Sequence, residues 1–203
     1  MKNDDRLDYY YYRSKIEGYR SRAAYKLKEI NEKFKIIKRG YVVVDLGAAP
    51  GGWIQVAREI VGDKGFIVGV DINPIAKFPW ENVKTIIADI TDPNTVDKVK
   101  SLLPNKVANV VLSDAAPKLS GIHEIDHANQ IFLAENALQI SLKLLVEDGA
   151  CVIKALQGST FREFINKVRE NFKYVKIYKP KASRKKSSEI YVIAKMRISQ
   201  HHI

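Results

Sequence analysis

The sequence predicts an α/β domain: a mostly parallel, seven-stranded sheet closed by an antiparallel C-terminal hairpin, with helices on both faces. Three observations predict it. Five apolar runs, YVVVDLG, GFIVGVDI, VKTIIADI, ANVVLSDA and GACVIKAL, are rich in Val and Ile and continuous rather than alternating. That is the pattern of parallel strands buried on both faces. Helical stretches at 53–61, 93–103, 128–146 and 160–172 separate or follow them, and alternating strands and helices build a doubly wound sheet. Finally, KYVKIYKP and EIYVIAKM are separated only by KASRKKSS, too short for a helical crossover, so these two strands pair antiparallel.

The elements follow in chain order. Residues 1–20 are polar, basic and rich in tyrosine. Residues 21–34 read as a helix, with Ser21 as its N-cap and Ala23, Ala24, Leu27, Ile30 and Phe34 at helical spacing. No repeat or low-complexity linker divides the 203 residues, so one domain is expected over 1–203. Within it, 1–39 forms a basic extension and helix, and 40–196 the α/β core.

At 46% hydrophobic residues the chain holds enough apolar material for a core. No apolar run approaches the roughly 18 residues that suggest a membrane span. The polar, aromatic start MKNDDRLDYYYYR has no apolar leader segment, and the single Cys151 has no disulfide partner. A cytoplasmic, reduced monomer is expected. The four histidines show no metal-ligand spacing, so no metal is expected. The formal charge of +11 suits a polyanionic partner, since basic side chains that neutralise phosphates release condensed counterions.

The sharpest motif is Asp45-Leu46-Gly47-Ala48-Ala49-Pro50-Gly51-Gly52-Trp53, which follows a Val-rich strand and opens a helix. Small residues there let the backbone approach a ligand at the carboxyl end of the first strand. It is neither G-x-G-x-x-G nor a P-loop, which disfavours a dinucleotide or a nucleoside triphosphate. Asp71 and Asp89 end the second and third strands. An acid at the first position can accept from a ribose diol, and one at the second from an adenine amine. Either acid alone reads equally as a turn residue. Together, behind the glycine loop, they favour an adenosine-bearing cofactor.

Lys154 interrupts the apolar run Cys151-Val152-Ile153-Lys154-Ala155-Leu156, and lysine is rarely buried unless paired. Asp114 ends the fourth strand. Lys26, in a helix full of charge, reads by itself as a solvated surface lysine, and Glu189 by itself as a strand-edge charge.

GYRSRAAYKLKEI, VVDLGAAPGGW, SDAAPKLSG, GACVIKALQG and KPKASRKKSSEIYVIA stand in this order across 18–194. In these segments the chain resembles the FtsJ/RrmJ family of RNA ribose 2′-O-methyltransferases. The resemblance implies a Rossmann-like, class I S-adenosylmethionine-dependent methyltransferase fold. It also implies a Lys-Asp-Lys-Glu tetrad at Lys26, Asp114, Lys154 and Glu189. The implied S-adenosyl-L-methionine site is Gly47, Ala48, Pro50, Gly51, Gly52, Trp53, Asp71, Ile72, Asp89, Ile90 and Asp114. The short length resembles enzymes that modify a uridine of large-subunit ribosomal RNA. Relatives acting on the tRNA anticodon loop share the same core, and a non-catalytic RNA-binding protein on the same fold is the alternative outside enzymes.

The implied chemistry needs a hydroxyl held in line with a sulfonium methyl and a base for its proton. A lysine is mostly protonated at neutral pH, and burial and a second ammonium both disfavour that charge. Lys154 is thus the expected proton acceptor, oriented by Asp114, with Lys26 and Glu189 holding the ribose. No nucleophilic loop cysteine and no Asn/Asp-Pro-Pro-aromatic motif is present, which disfavours base methylation.

Residues 173–186 carry seven Lys or Arg and no acid, and residues 1–39 carry twelve against six acids, interleaved with tyrosines. Basic groups grip phosphates and aromatic faces stack on unpaired bases. Arg20, Arg22, Lys181, Arg184, Lys185 and Lys186 are the expected RNA contacts.

Overall fold

The structure, a computed structural model, describes residues 5–184 and 187–198, with side chains from residue 9 onward. Lys185, Lys186 and the terminal histidines lie outside the described residues. The seven strands are β1 (Val42–Leu46), β2 (Phe66–Asp71), β3 (Val83–Ile87), β4 (Ala108–Ser113), β5 (Leu145–Leu156), β6 (Phe172–Tyr178) and β7 (Glu189–Arg197). They form one sheet in the order β3-β2-β1-β4-β5-β7-β6. β1 to β5 are mutually parallel; β7 lies between β5 and β6 and is antiparallel to both. The hairpin therefore closes the sheet by inserting its second strand rather than appending it.

Side-chain alternation divides the strands between two cores. Val44, Leu46, Val111, Cys151, Ile153, Val192 and Ala194 face one core, under α4 (Thr95–Leu102), α5 (His123–Leu144) and α6 (Phe161–Asn171). Val43, Val110, Leu112, Val152, Tyr191 and Ile193 face the other, under α2 (Ala24–Phe34) and α3 (Gly52–Val61). By the same alternation Lys154 and Glu189 belong to the α2–α3 side, where Lys26 sits. Order reverses at β1, whose neighbours are β2 and β4, and such a switch point opens a crevice at the strands' carboxyl ends.

The structure adds one unexpected helix and corrects two local expectations. Residues 5–16 are helical (α1, Asp5–Ile16), although their pattern has no period. The helix is held by contacts rather than patterning: Tyr10 packs on Tyr25 at 5.3 Å and Arg13 lies 5.0 Å over the Tyr25 ring. Ser21 does not cap α2, which starts at Ala24 with no side-chain cap; the Ser21 carbonyl instead accepts from Ala24 N at 3.2 Å. And α5 begins at His123, five residues before the apolar period starts. Among the described residues no helix is long and apolar enough to cross a membrane.

Candidate active site

A cavity of about 450 Å³ opens at the switch point, and Gly47, Asp71, Ile72, Asp89, Ile90 and Asp114 are among its lining residues. Its floor is the β1–α3 loop. Gly47 has φ of +73°, and a Cβ there would lie 2.5 Å from the Ala115 backbone, so only glycine lets this loop meet the end of β4. Asp71 Oδ2 accepts from Ala49 N at 2.9 Å, and its Oδ1 accepts from Asn73 N at 2.8 Å and Asn73 Nδ2 at 3.1 Å. Asp89 lies two residues beyond β3, exposed, and accepts from both Thr91 N and its hydroxyl at 2.8 Å. Trp53, Ala48, Pro50, Gly51 and Gly52 build the loop from behind rather than lining the cavity. Trp53 is buried; its indole N–H donates to Ala23 O at 2.8 Å and its ring meets Tyr191 at 5.7 Å.

The four tetrad positions, from α2, the end of β4, β5 and β7, come together beside the cavity, which Asp114 lines. Lys154 Nζ donates to the Asp114 main-chain O at 2.5 Å and lies 3.2 Å from Asp114 Oδ1. Lys26 Nζ donates to Glu189 Oε1 at 2.7 Å, and that oxygen also accepts from Ser183 Oγ at 2.8 Å. The two lysines are only 8% and 7% exposed, yet each is paired, as burial of an ammonium demands.

Tyr191 joins the two pairs, and the sequence reading had not singled it out. Its fully buried hydroxyl donates to Asp114 Oδ1 at 2.6 Å and accepts from Lys26 Nζ at 3.2 Å. The signal was strand period: Tyr191 shares a face with Glu189, and it sits directly opposite Lys154 across β5 and β7. Burial raises the Asp114 carboxyl, but the charges of Lys154 and Lys26 and the Tyr191 bond outweigh it and hold the group below the ordinary carboxylate range. Burial and then the anions of Asp114 and Glu189 push the Tyr191 phenol well above its ordinary value, so it stays a donor.

Asp45, in β1, is the opposite case. It is fully buried, neither carboxyl oxygen has a partner, and burial followed by Asp114 and Asp71 raises it well above the ordinary value. Burial without a partner favours its neutral form.

Of the expected RNA contacts, Arg22 is half-buried, and burial and then the Arg184 charge disfavour its charge. Lys181 is exposed. Arg20 is engaged internally, donating to Ala76 O at 2.7 Å, Lys77 O at 3.0 Å and Pro50 O at 3.3 Å while lying 3.6 Å over the Phe78 ring. Tyr19 and Tyr25 are buried, whereas Tyr9, Tyr11 and Tyr12 are exposed.

Residues 19–197 match the family described as FtsJ-like methyltransferase. A ribosomal RNA large subunit methyltransferase E of Methanocaldococcus jannaschii is 50% identical over 190 residues, covering 93% of this chain and 78% of that one. The crystal structure of a Plasmodium falciparum protein described as a ribosomal RNA methyltransferase superposes with a TM-score of 0.81 at 30% identity, over 90% of this chain and 100% of that one. Fibrillarin of Aeropyrum pernix, solved with natively bound S-adenosyl-L-methionine, shares the fold with a TM-score of 0.56 at 15% identity, over 85% of this chain and 73% of that one.

Proposed function

The chain belongs to the FtsJ-like methyltransferase family, and from that premise we propose that it methylates a ribose 2′-hydroxyl of large-subunit ribosomal RNA, with S-adenosyl-L-methionine as donor. The observation that carries this reading is the Lys26–Glu189 and Asp114–Lys154 pairs, bridged by Tyr191 and joined to the Gly47 cavity through Asp114. The residues present fit the cofactor: a glycine floor with no room for a side chain, and carboxylates following consecutive strands.

When bound, the cofactor supplies an electrophilic sulfonium methyl. Asp71 and Ile72 would hold its ribose, and Asp89 and Ile90 its adenine. Asp71 already accepts three hydrogen bonds, so a ribose diol there takes the place of the Asn73 amide. Gly47, Ala48, Pro50, Gly51, Gly52 and Trp53 shape the loop beneath it. At the acceptor, the neutral amine of Lys154, formed once its ammonium passes a proton to solvent, takes the proton of the 2′-hydroxyl, whose oxygen would receive the methyl group that the bound cofactor supplies. Asp114 fixes the amine, and Lys26 with Glu189 orients the sugar. Arg22 and Arg184 suit the adjoining phosphate, since guanidiniums match phosphate geometry.

The test is methyl transfer from labelled cofactor to large-subunit ribosomal RNA and to tRNA, followed by mapping of the 2′-O-methylated position. Label in ribosomal RNA is expected. Label confined to tRNA would replace the substrate, and none in any RNA would overturn the activity.

A further inference from the structure

β4 and β5 pair in register as far as Ser113 opposite Ile153. The next residues on each strand are Asp114 and Lys154, and there the ladder ends. Asp114 N continues the ladder to β1 by donating to Leu46 O at 3.2 Å, while pairing with β5 stops. The β4–β5 pairing ends where the tetrad needs two side chains at a fixed spacing.

A side chain from α5 spans these two strand ends. Gln130 Nε2 donates to Ala115 O at 3.1 Å and to Lys154 O at 3.2 Å. Both neighbours are carbonyls that can only accept, so the amide nitrogen, with its two hydrogens, must be the atom that faces them. Gln130 is 2% exposed, on a helix face that otherwise packs Ile131, Ala134 and Leu138 into the core. A buried amide there is a cost unless its bonds are made.

The same end of α5 holds both flanking loops. Asp126 accepts from Ser120 N at 2.7 Å, Ser120 Oγ at 2.8 Å and Gly121 N at 3.2 Å, in the loop after Asp114. His127 Nε2 meets Thr160 N at 3.2 Å and Thr160 Oγ1 at 3.0 Å, in the loop after Lys154. Ala115 is further fixed on another side by the close approach of Gly47.

We infer that Gln130 is a positioning residue: its amide clamps the ends of β4 and β5 and so sets the spacing of Asp114 and Lys154 for methyl transfer. It acts through those two residues, and the inference rests on the function proposed above. A misplacement of roughly 1 Å at such a site costs about 100-fold in rate.

Gln130→Met keeps the length and removes both donors. The expected result is a kcat about 30- to 100-fold lower with cofactor Kd within about 3-fold of the parent, since the clamp orders the acceptor side. A kcat within about 2-fold of the parent, or a fall in kcat matched by loss of cofactor affinity, overturns it. Should the variant not fold, hydrogen exchange of the Gln130 side-chain amide in the unaltered protein decides: slow exchange supports the clamp, and exchange at the free-amide rate overturns it. That measurement stands even if the unaltered protein methylates no RNA, which would instead sink the proposed activity.

Discussion

The Tyr191 hydroxyl donates to Asp114 Oδ1 at 2.6 Å, which makes a strand tyrosine the bridge between two lysine–carboxylate pairs. One bond to a charged group contributes about 1.5–3 kcal/mol, and about 1.4 kcal/mol is tenfold in rate. Tyr191→Phe is expected to lower kcat about 10- to 100-fold and leave cofactor binding intact. Initial rates beside cofactor titrations check this; an unchanged kcat would reduce Tyr191 to packing.

Lys154 is tested by two substitutions that separate a base from a charge. Lys154→Ala removes both, and Lys154→Arg keeps a cation that cannot give up its proton. Both variants are expected to lose turnover by at least about 1,000-fold, within the upper range of general base catalysis, while cofactor Kd stays within about 3-fold. Substantial activity in Lys154→Arg would make the group an electrostatic partner rather than the proton acceptor.

A buried, unpartnered carboxyl that favours its neutral form, as Asp45 does, is expected to make stability fall as pH rises. Unfolded, it titrates near its ordinary value of about 3.9; folded, it holds its proton well above that. The stability it contributes is complete below about pH 3.9 and is lost as pH rises towards the folded value. Asp45→Asn is neutral in both states and escapes that loss. In the cofactor-free protein, parent and variant should melt together near pH 4, and at pH 8 the variant should melt at least roughly 4 °C higher, since about 1 kcal/mol shifts a chain of this size by 2–4 °C. Parallel melting curves at every pH would show Asp45 ionised in the fold.

The charge of Arg184 disfavours that of Arg22, which an intervening phosphate would relieve. The double variant Arg22→Ala, Arg184→Ala is expected to weaken RNA binding and to flatten the slope of log K against log salt by about 1.4–1.8, at 0.7–0.9 per lost phosphate contact. Binding measured from 50 to 300 mM salt reads the slope directly. An unchanged slope would move the RNA path elsewhere.

The strands were legible because continuous Val and Ile runs report burial on both faces without reference to anything distant. Lys154 was legible for the converse reason, as an ammonium inside such a run. α1 was not, because tyrosines on every side of DRLDYYYYRSKI give no period, and its order comes from Tyr25, on another helix. The first turn of α5 was hidden likewise: Asp126 and His127 are buried as polar groups bonded to two loops, and polar residues ahead of an apolar period read as connection. Tyr191 and Gln130 look ordinary in sequence, and their roles exist only through register and contacts made across 77 and 24 positions.

Arg20 separates a local-sequence expectation from a spatial one. Within a basic segment it reads as a phosphate contact, but its donors go to the carbonyls of Pro50, Ala76 and Lys77, and its plane covers Phe78. Phe78 fills the space where a Cβ on Gly51 would stand, 2.6 Å away, so Arg20 braces the β1–α3 loop through that ring. Arg20→Ala is therefore expected to raise cofactor Kd about 10-fold, the loss of roughly one charge-assisted bond, while the salt slope of RNA binding stays that of the parent. Calorimetric cofactor titration beside salt-dependent RNA binding checks both halves. A flattened slope with unchanged cofactor affinity would return Arg20 to the RNA surface and leave the loop braced by its own backbone.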